Sequence, residues 1–420
     1  SNYGFAPIEK SDMIFIPDPE TAIVDPFCEI PTLSMTGNAM IIDYPENRPL
    51  SQYPRNIVLA AEKYMRDTGI ADTILILPEF EFYLFDSARW NIRSEHISMS
   101  IDAIQAHWNS DMNGFGTVIQ KQKGYHIAKP YDPTYDCRSE MCILMEEAGI
   151  PIKYHHPEVG ASGQFEIEPK LGVMSKMADA TMMIKYIIHN TALKYGKTAT
   201  FMPKPVLGEA GSGMHVHMLL MKDNEPVFFD ANGYSCLSET AHYFIGGLLK
   251  HIASICAIAN PSTNSFKRLI PGFEAPVTVG YATSNRSAVI RIPAYAKAPN
   301  TRRFELRNPD ATCNPYFCYA AILMAGLDGV IKKIDPRTNG WGPFDFNLYD
   351  LPEEEKKKLE VLPSSLDAAL DALEADHNYL TAGGVFPKAL LDKFVASKRK
   401  DCRDIAATPH PLEFEKYYNL

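Results

Sequence analysis

Three observations predict an α+β fold in two parts. Residues 13–16, 21–24, 32–35 and 39–42 read as short strands separated by Pro, Asp and Gly. The chain then turns Pro-rich and polar over 45–54, and a helical pattern runs from Arg55 to Arg66 and stops at Gly69. Beyond it, strand and helix patterns alternate irregularly, with no internal repeat. A boundary is expected near Ser51, with a small β-rich unit over 1–50 and a larger one over 51–420.

Within the larger unit, the apolar run from Thr73 to Phe85 predicts a strand. A helix is expected from Arg138 to Ala148, halted by Gly149-Ile-Pro151, and another from Lys176 to Tyr195, halted by Gly196. Long apolar helices are predicted over 238–259 and 315–334, the second with Pro315 in its first turn, where a missing N–H costs nothing. Leu366 to Leu373 reads as a helix leading to Gly383-Gly384.

Bulk properties exclude several function classes. The 41 basic and 51 acidic residues give a charge of −10, against a nucleic-acid surface. The short basic runs Lys356 to Lys358 and Lys398 to Lys400 read as solvated helix faces. The best apolar run, Tyr319 to Leu327, meets Asp328 well short of the ~20 residues a membrane span needs. The eight cysteines, including the spaced pairs Cys137/Cys142 and Cys313/Cys318, form no small-domain disulfide framework, so reduced thiols in a cytoplasmic protein are expected. There is no signal-peptide pattern, and the chain enters a β-like segment without an initiator Met, as the visible part of something longer would.

Four segments alternate polar and apolar side chains: Glu79-Phe-Glu81, Gln164-Phe-Glu166-Ile-Glu168, His215-Val-His217 and Arg303-Phe-Glu305-Leu-Arg307. On a strand, a period of two gathers each polar set on one face. One such segment would be an ordinary solvated strand. Four in apolar surroundings point instead to charges that are paired or metal-bound, since burying isolated ones is costly. Glu79, Glu81, Glu158, Glu166 and Glu305 with His215 would suit two or three divalent cations, and oxygen-rich ligation with little sulfur favours Mg²⁺ or Mn²⁺ over Zn²⁺. No CxxC or HExxH spacing supports zinc, and His155-His156 reads as structural packing. Arg268, Arg286, Arg291, Arg303 and Arg307 supply forks for phosphate and carboxylate oxygens. Metals plus arginines are the parts of phosphoryl transfer, although there is no Walker A motif. Gly211-Ser-Gly213 precedes a strand, where it gives a ligand close access to the backbone.

Read in order, these segments resemble the signature of glutamine synthetase of the bacterial type I class. Pro78 to Glu81, His155 to Glu158 with Gln164 to Glu166, Lys197 to Lys204, Gly211 to His217, Lys267 to Pro276, Asn285 to Ser287, Arg303 to Arg307 and the tail from Thr408 to Tyr418 match in order and approximate spacing. The resemblance covers nearly the whole chain. It implies an N-terminal β-grasp domain, whose C-terminal part is 1–50, and a catalytic domain over 51–420 with a curved antiparallel sheet flanked by helices. It also implies a dodecamer of two hexameric rings with sites shared between subunits.

Carried over position by position, the resemblance puts Glu81, Glu158 and Glu166 on one metal and Glu79, His215 and Glu305 on a second near the ATP phosphates. Arg268 and Arg307 would grip the glutamate carboxylate near Gly211 and Ala210, with Glu81 also at the substrate. Arg286, Arg291 and Arg303 would steady the phosphoryl group, and His217 would lie near the nucleotide. Tyr125 and Glu158 would bind ammonium with Glu274, which would sit on a flap. The implied activity is ATP-dependent formation of L-glutamine from L-glutamate and ammonia.

The chain departs from that pattern at several points. By that resemblance its first residues, Ser1 to Pro7, begin at the last Ser of a family segment, and the Asp expected to act on ammonium in a neighbouring site is not among residues 1–420, as in a truncated chain or one whose disordered start is left out. Ala210 stands where many members have Asn, Leu219 replaces a Ser, and Lys153 and Asn300 occupy positions often Glu and Lys in the ATP pocket. Tyr349, in Asn347 to Pro352, matches a segment adenylylated in some members. Two other functions fit the same family: a ligase joining glutamate to a larger amine, and a catalytically weak nitrogen-sensing binding protein.

Overall fold

The computed structural model describes residues 12–112, 114–271, 275–346 and 348–419. Five strands come first: β1 (Met13–Pro17), β2 (Ile23–Val24), β3 (Leu33–Ser34), β4 (Gly37–Ile41) and β5 (Arg48–Pro49). β1, β4 and β5 form a three-stranded antiparallel sheet and β2 pairs with β3. α1 (Pro54–Thr68) follows, opened by Pro54 and closed by Gly69 at φ 70°, a left-handed cap that glycine adopts without strain. Its Arg55 is buried and ties the first sheet to the rest, with Nη2 2.5 Å from Asp18, Nη1 3.0 Å from Asn38 and Nε 3.1 Å from Asp179.

The predicted strand over 73–85 is two strands, β6 (Thr73–Pro78) and β7 (Phe80–Phe85), broken at Glu79. The break lets one stretch of chain serve two sheets. A hairpin of β8 (Ser87–Arg93) and β9 (His96–Asp102) precedes α2 (Tyr135–Glu147), β10 (Ile152–Pro157), β11 (Gln164–Pro169), β12 (Gly172–Val173), α3 (Met174–Lys194) and β13 (Thr198–Thr200). Then come β14 (Val216–Lys222), β15 (Glu225–Pro226), α4 (Glu239–Lys250), α5 (Ile252–Ala259), α6 (Ser265–Arg268), β16 (Thr278–Thr283), β17 (Ala288–Ile292), β18 (Phe304–Leu306) and α7 (Pro315–Lys332). α8 (Glu353–Lys356), α9 (Leu366–Ala375), α10 (Asn378–Thr381), α11 (Lys388–Ala406) and α12 (Pro411–Tyr417) complete the chain.

One sheet runs β10-β11-β7-β13 and the larger runs β12-β6-β14-β18-β17-β16, with β15 on β14. Pairings between these strands are antiparallel except β16 with β17, which is parallel and departs from a wholly antiparallel sheet, and the isolated bridge between Ala106 and Ile119 is parallel too. The α+β expectation holds. Apolar side chains of the larger sheet, among them Ile76, Met218, Leu220, Ile290 and Phe304, share one core with α1, α3, α4, α5 and α7.

The single helix expected over 238–259 is two, α4 and α5, which meet at His251 with a 71° bend. A side-chain clamp holds the junction: His251 Nδ1 lies 2.7 Å from Asp376 and Nε2 2.9 Å from Asp328, with the ring stacked 4.1 Å from Tyr379. Among the described residues no single helix is long and apolar enough to cross a membrane, and only this bent, largely buried pair passes by length and composition.

Candidate active site

Strand register assembles two rows of polar side chains. Across β10, β11 and β7, His156 pairs with Glu166 and Glu166 with Glu81. Across β14, β18 and β17, His217 pairs with Glu305 and Glu305 with Arg291. Like charges directly opposed, as Glu166 and Glu81 are, weaken a strand pair. The first row is therefore not explained by sheet stability. The two sheets meet beside Glu79, whose N–H donates to His215 O at 2.9 Å, while the Glu81 N–H donates to Gly213 O at 3.3 Å.

Between the rows lies a cavity of about 470 Å³. It is lined by Glu79, Glu81, Glu158, Glu166, His156 and His215 and by Arg268, Arg286, Arg291 and Arg307, with Tyr125, Tyr154, Tyr295, Ala210 and Gly211 also facing it. Glu79 bridges His215 Nδ1 and His217 Nε2, each at 2.8 Å. Burial works against ionising Glu79, yet the two imidazoles, His217 foremost, hold its carboxyl well below the usual range. Glu305 is fully buried, with Arg307 at 2.6 Å, Arg291 at 3.1 Å and His217 at 3.2 Å. Burial and Glu79 oppose its ionisation, but His217 and the arginines outweigh them. Glu166 is the opposite case: burial, followed by Glu79, Glu81, Glu158 and Glu168, pushes its carboxyl well above the ordinary value.

Three groups place ligand atoms within 4.8 Å of one another: Glu79, His217 and Glu305; His156, Glu158 and Glu166; and Glu79, Glu166 and Glu168. They overlap the sets implied by the resemblance without coinciding with them. His217, assigned there to the nucleotide, joins Glu79 and Glu305, while His215 bridges toward Glu81, its Nε2 3.9 Å away. Both members of the histidine pair are packed against aromatic rings, His155 on Tyr135 and His156 on Tyr125, His126 and Tyr154. His155 lies against Arg138 at 3.4 Å and Tyr135, and burial and Arg138 push its pKa down to about 4. His156 also faces the carboxylates, 3.6 Å from Glu166. Glu168, Tyr154 and Tyr295 were also missed. Of these, Glu168 carried a signal, as the third member of the alternating segment at 164–168.

The remaining expected residues are placed as follows. Arg268 is buried, donating to Asn308 O at 2.8 Å and Arg307 O at 3.0 Å, with Nη2 3.3 Å from His215. Gly213 permits that approach, because a Cβ there would stand 2.3 Å from Arg268 Nη2. The carbonyl oxygens of Ala210 and Gly211 accept from Tyr83 at 2.7 Å and Gln164 at 2.9 Å. Arg303 donates to Thr301 O at 3.0 Å and reaches Tyr295 Oη at 3.4 Å. Leu219 is buried in the core, Asn300 lies in the turn at Pro299–Thr301, and Lys153 pairs with Glu168. Glu274 lies outside the described residues, as does the side chain of Tyr349, whose backbone forms the turn Leu348–Asp350.

The donor set is carboxylate oxygen and imidazole nitrogen with no thiol, which suits hard divalent cations. Two buried atoms here, His217 Nδ1 and Glu168 Oε2, have no hydrogen-bond partner, a costly state in a site left without a ligand.

Residues 51–417 match the profile of the family "Glutamine synthetase, catalytic domain". The chain belongs to the glutamine synthetase family. A glutamine synthetase of Pasteurella multocida is 48% identical over 421 residues, covering 99% of this chain and 87% of that protein. A 3-hydroxylaminophenol mutase of Cupriavidus pinatubonensis is 45% identical, covering 99% and 88%. Among solved structures, a Plasmodium falciparum glutamine synthetase superposes with a TM-score of 0.86 at 26% identity, covering 98% of this chain and 87% of that one. The glutamine synthetase family thus contains relatives with more than one named activity.

Proposed function

We propose that this chain is a type I glutamine synthetase, forming L-glutamine from L-glutamate, ammonia and ATP through γ-glutamyl phosphate. The observation that carries the reading is the cavity itself, whose lining combines carboxylates and imidazoles with four arginines. A carboxylate is a poor electrophile, so a γ-carboxylate oxygen takes the terminal phosphoryl group of ATP and ADP leaves. Ammonia then attacks the acyl carbon, and the C–O bond to phosphate breaks.

Mg²⁺ or Mn²⁺, held by Glu79, Glu305 and His217 or His215 and by Glu158, Glu166 and Glu81 or His156, would neutralise charge on phosphate oxygens. The protein's own share falls to its side chains. Arg268 and Arg307 hold the glutamate carboxylate, Arg286, Arg291 and Arg303 offset charge on the transferring group, and Tyr125 with Glu158 and Glu274 binds ammonium and takes its proton. A cytoplasmic dodecamer with shared sites is the expected assembly.

The test is glutamine and phosphate production from glutamate, ammonia and ATP with Mg²⁺ or Mn²⁺, for the wild type and Glu166→Gln. Because the Glu166 carboxyl is already driven toward its neutral form, the amide should keep the fold while removing an anionic ligand. Glutamine formed by the wild type and lost in a folded variant supports the ligase. Turnover on methylamine but not ammonia would replace it with a glutamyl-amine ligase.

A further inference from the structure

Glu79, Glu166 and Glu168 form a third set of carboxylates, and Glu168 is its most buried member, with no exposure at all. Its Oε2 has no hydrogen-bond partner, while Oε1 lies 2.6 Å from Lys153 Nζ. That contact is short and charge-assisted. The pairing of β10 with β11 shifts register between Ile152 and Tyr154, which makes Lys153 the extra residue of a bulge. Bulges re-aim a side chain. Here the re-aimed chain runs over the Tyr154 ring, 4.7 Å from its centroid, and stands 5.6 Å from that of Tyr295. Lys153 keeps a third of its side chain exposed, so it reaches inward from the solvent edge.

We infer that this third carboxylate set is a cation site whose resident cation is the chain's own Lys153 ammonium. A divalent ion and an ammonium competing for one buried carboxylate repel strongly at low dielectric. The lysine therefore keeps a metal out of this position, while the two neighbouring groups remain open to ions. This inference rests on the metal-dependent reading of the cleft.

The experiment is the number of Mn²⁺ ions bound per chain by the purified full-length protein, by calorimetric titration with Mn²⁺ alone. Lys153→Met should bind one more Mn²⁺ than the wild type. Lys153→Arg, which keeps a tethered cation, should bind the wild-type number, and Lys153→Met/Glu168→Gln should return to it. Equal stoichiometry for wild type and Lys153→Met overturns the inference, as does an extra ion surviving in the double variant. If neither wild type nor Lys153→Met takes up Mn²⁺, the metal reading of the cleft falls and this inference with it.

Discussion

Glu305 is buried against two guanidiniums and an imidazole, and its loss would strand those charges. Removing one partner of a buried ion pair costs about 3–5 kcal/mol, so Glu305→Ala should lose about that much in urea unfolding, and a loss below about 1 kcal/mol would contradict the pairing. Gly213 acts through space alone. In Gly213→Ala the new methyl meets Arg268 and stands 3.1 Å from His215 Nε2, so both must shift. Misplacement of about 1 Å in such a site costs about 10²-fold, and kcat/KM for glutamate should fall accordingly with little change in Tm. A variant with normal kcat/KM would show that Arg268 does not position the substrate.

Among the elements, the clamp at His251 is the clearest pH sensor of stability. Burial lowers the pKa of this histidine, but Asp328 and Asp376 outweigh that and raise it above the ordinary value. Asp328 also carries Lys332 at 2.9 Å, and the Tyr379 ring covers the imidazole. A raised folded pKa means that the stabilisation is full below the unfolded value of about 6.5 and fades as pH rises through the folded one. The Tm advantage of the wild type over His251→Phe should thus shrink between pH 6 and pH 9. Parallel Tm curves would rule the clamp out.

The same elements show what a linear reading reaches. Helix ends marked by Pro315 and by Gly69 and Gly196 were legible because capping is local. The breaks at Glu79 and His251 were not, since one depends on strands pairing on either side and the other on carboxylates 77 and 125 residues away. Alternation announced the charged faces, and the family resemblance named their roles. Which carboxylate stands beside which histidine is a matter of register between distant strands, and so His156, His217 and Glu168 were grouped differently.

For the whole molecule, the cleft concentrates carboxylates that a bound cation would relieve. Ligand at 100 times its Kd adds about 2.7 kcal/mol for one site, so saturating Mn²⁺ should raise Tm and a chelator should reverse it, with a smaller gain in Glu166→Gln. An unchanged Tm on adding Mn²⁺ would speak against metal binding. Arg55 sets the cohesion of the first sheet with the remainder. Arg55→Met should speed proteolytic cleavage within residues 12–50 while the melting of the large core stays near that of the wild type.

The chemistry of the cleft is written in alignment between strands more than in the identity of any one of them. Glu81 faces Glu166 and His156 only because β7, β11 and β10 are paired as they are. Losing Phe165 from within β11 would bring Ile167 to the cavity face and turn Glu166 and Glu168 toward the core. Descendants of this chain can therefore gain or lose length in its loops, but not within the strands that bring the cleft together.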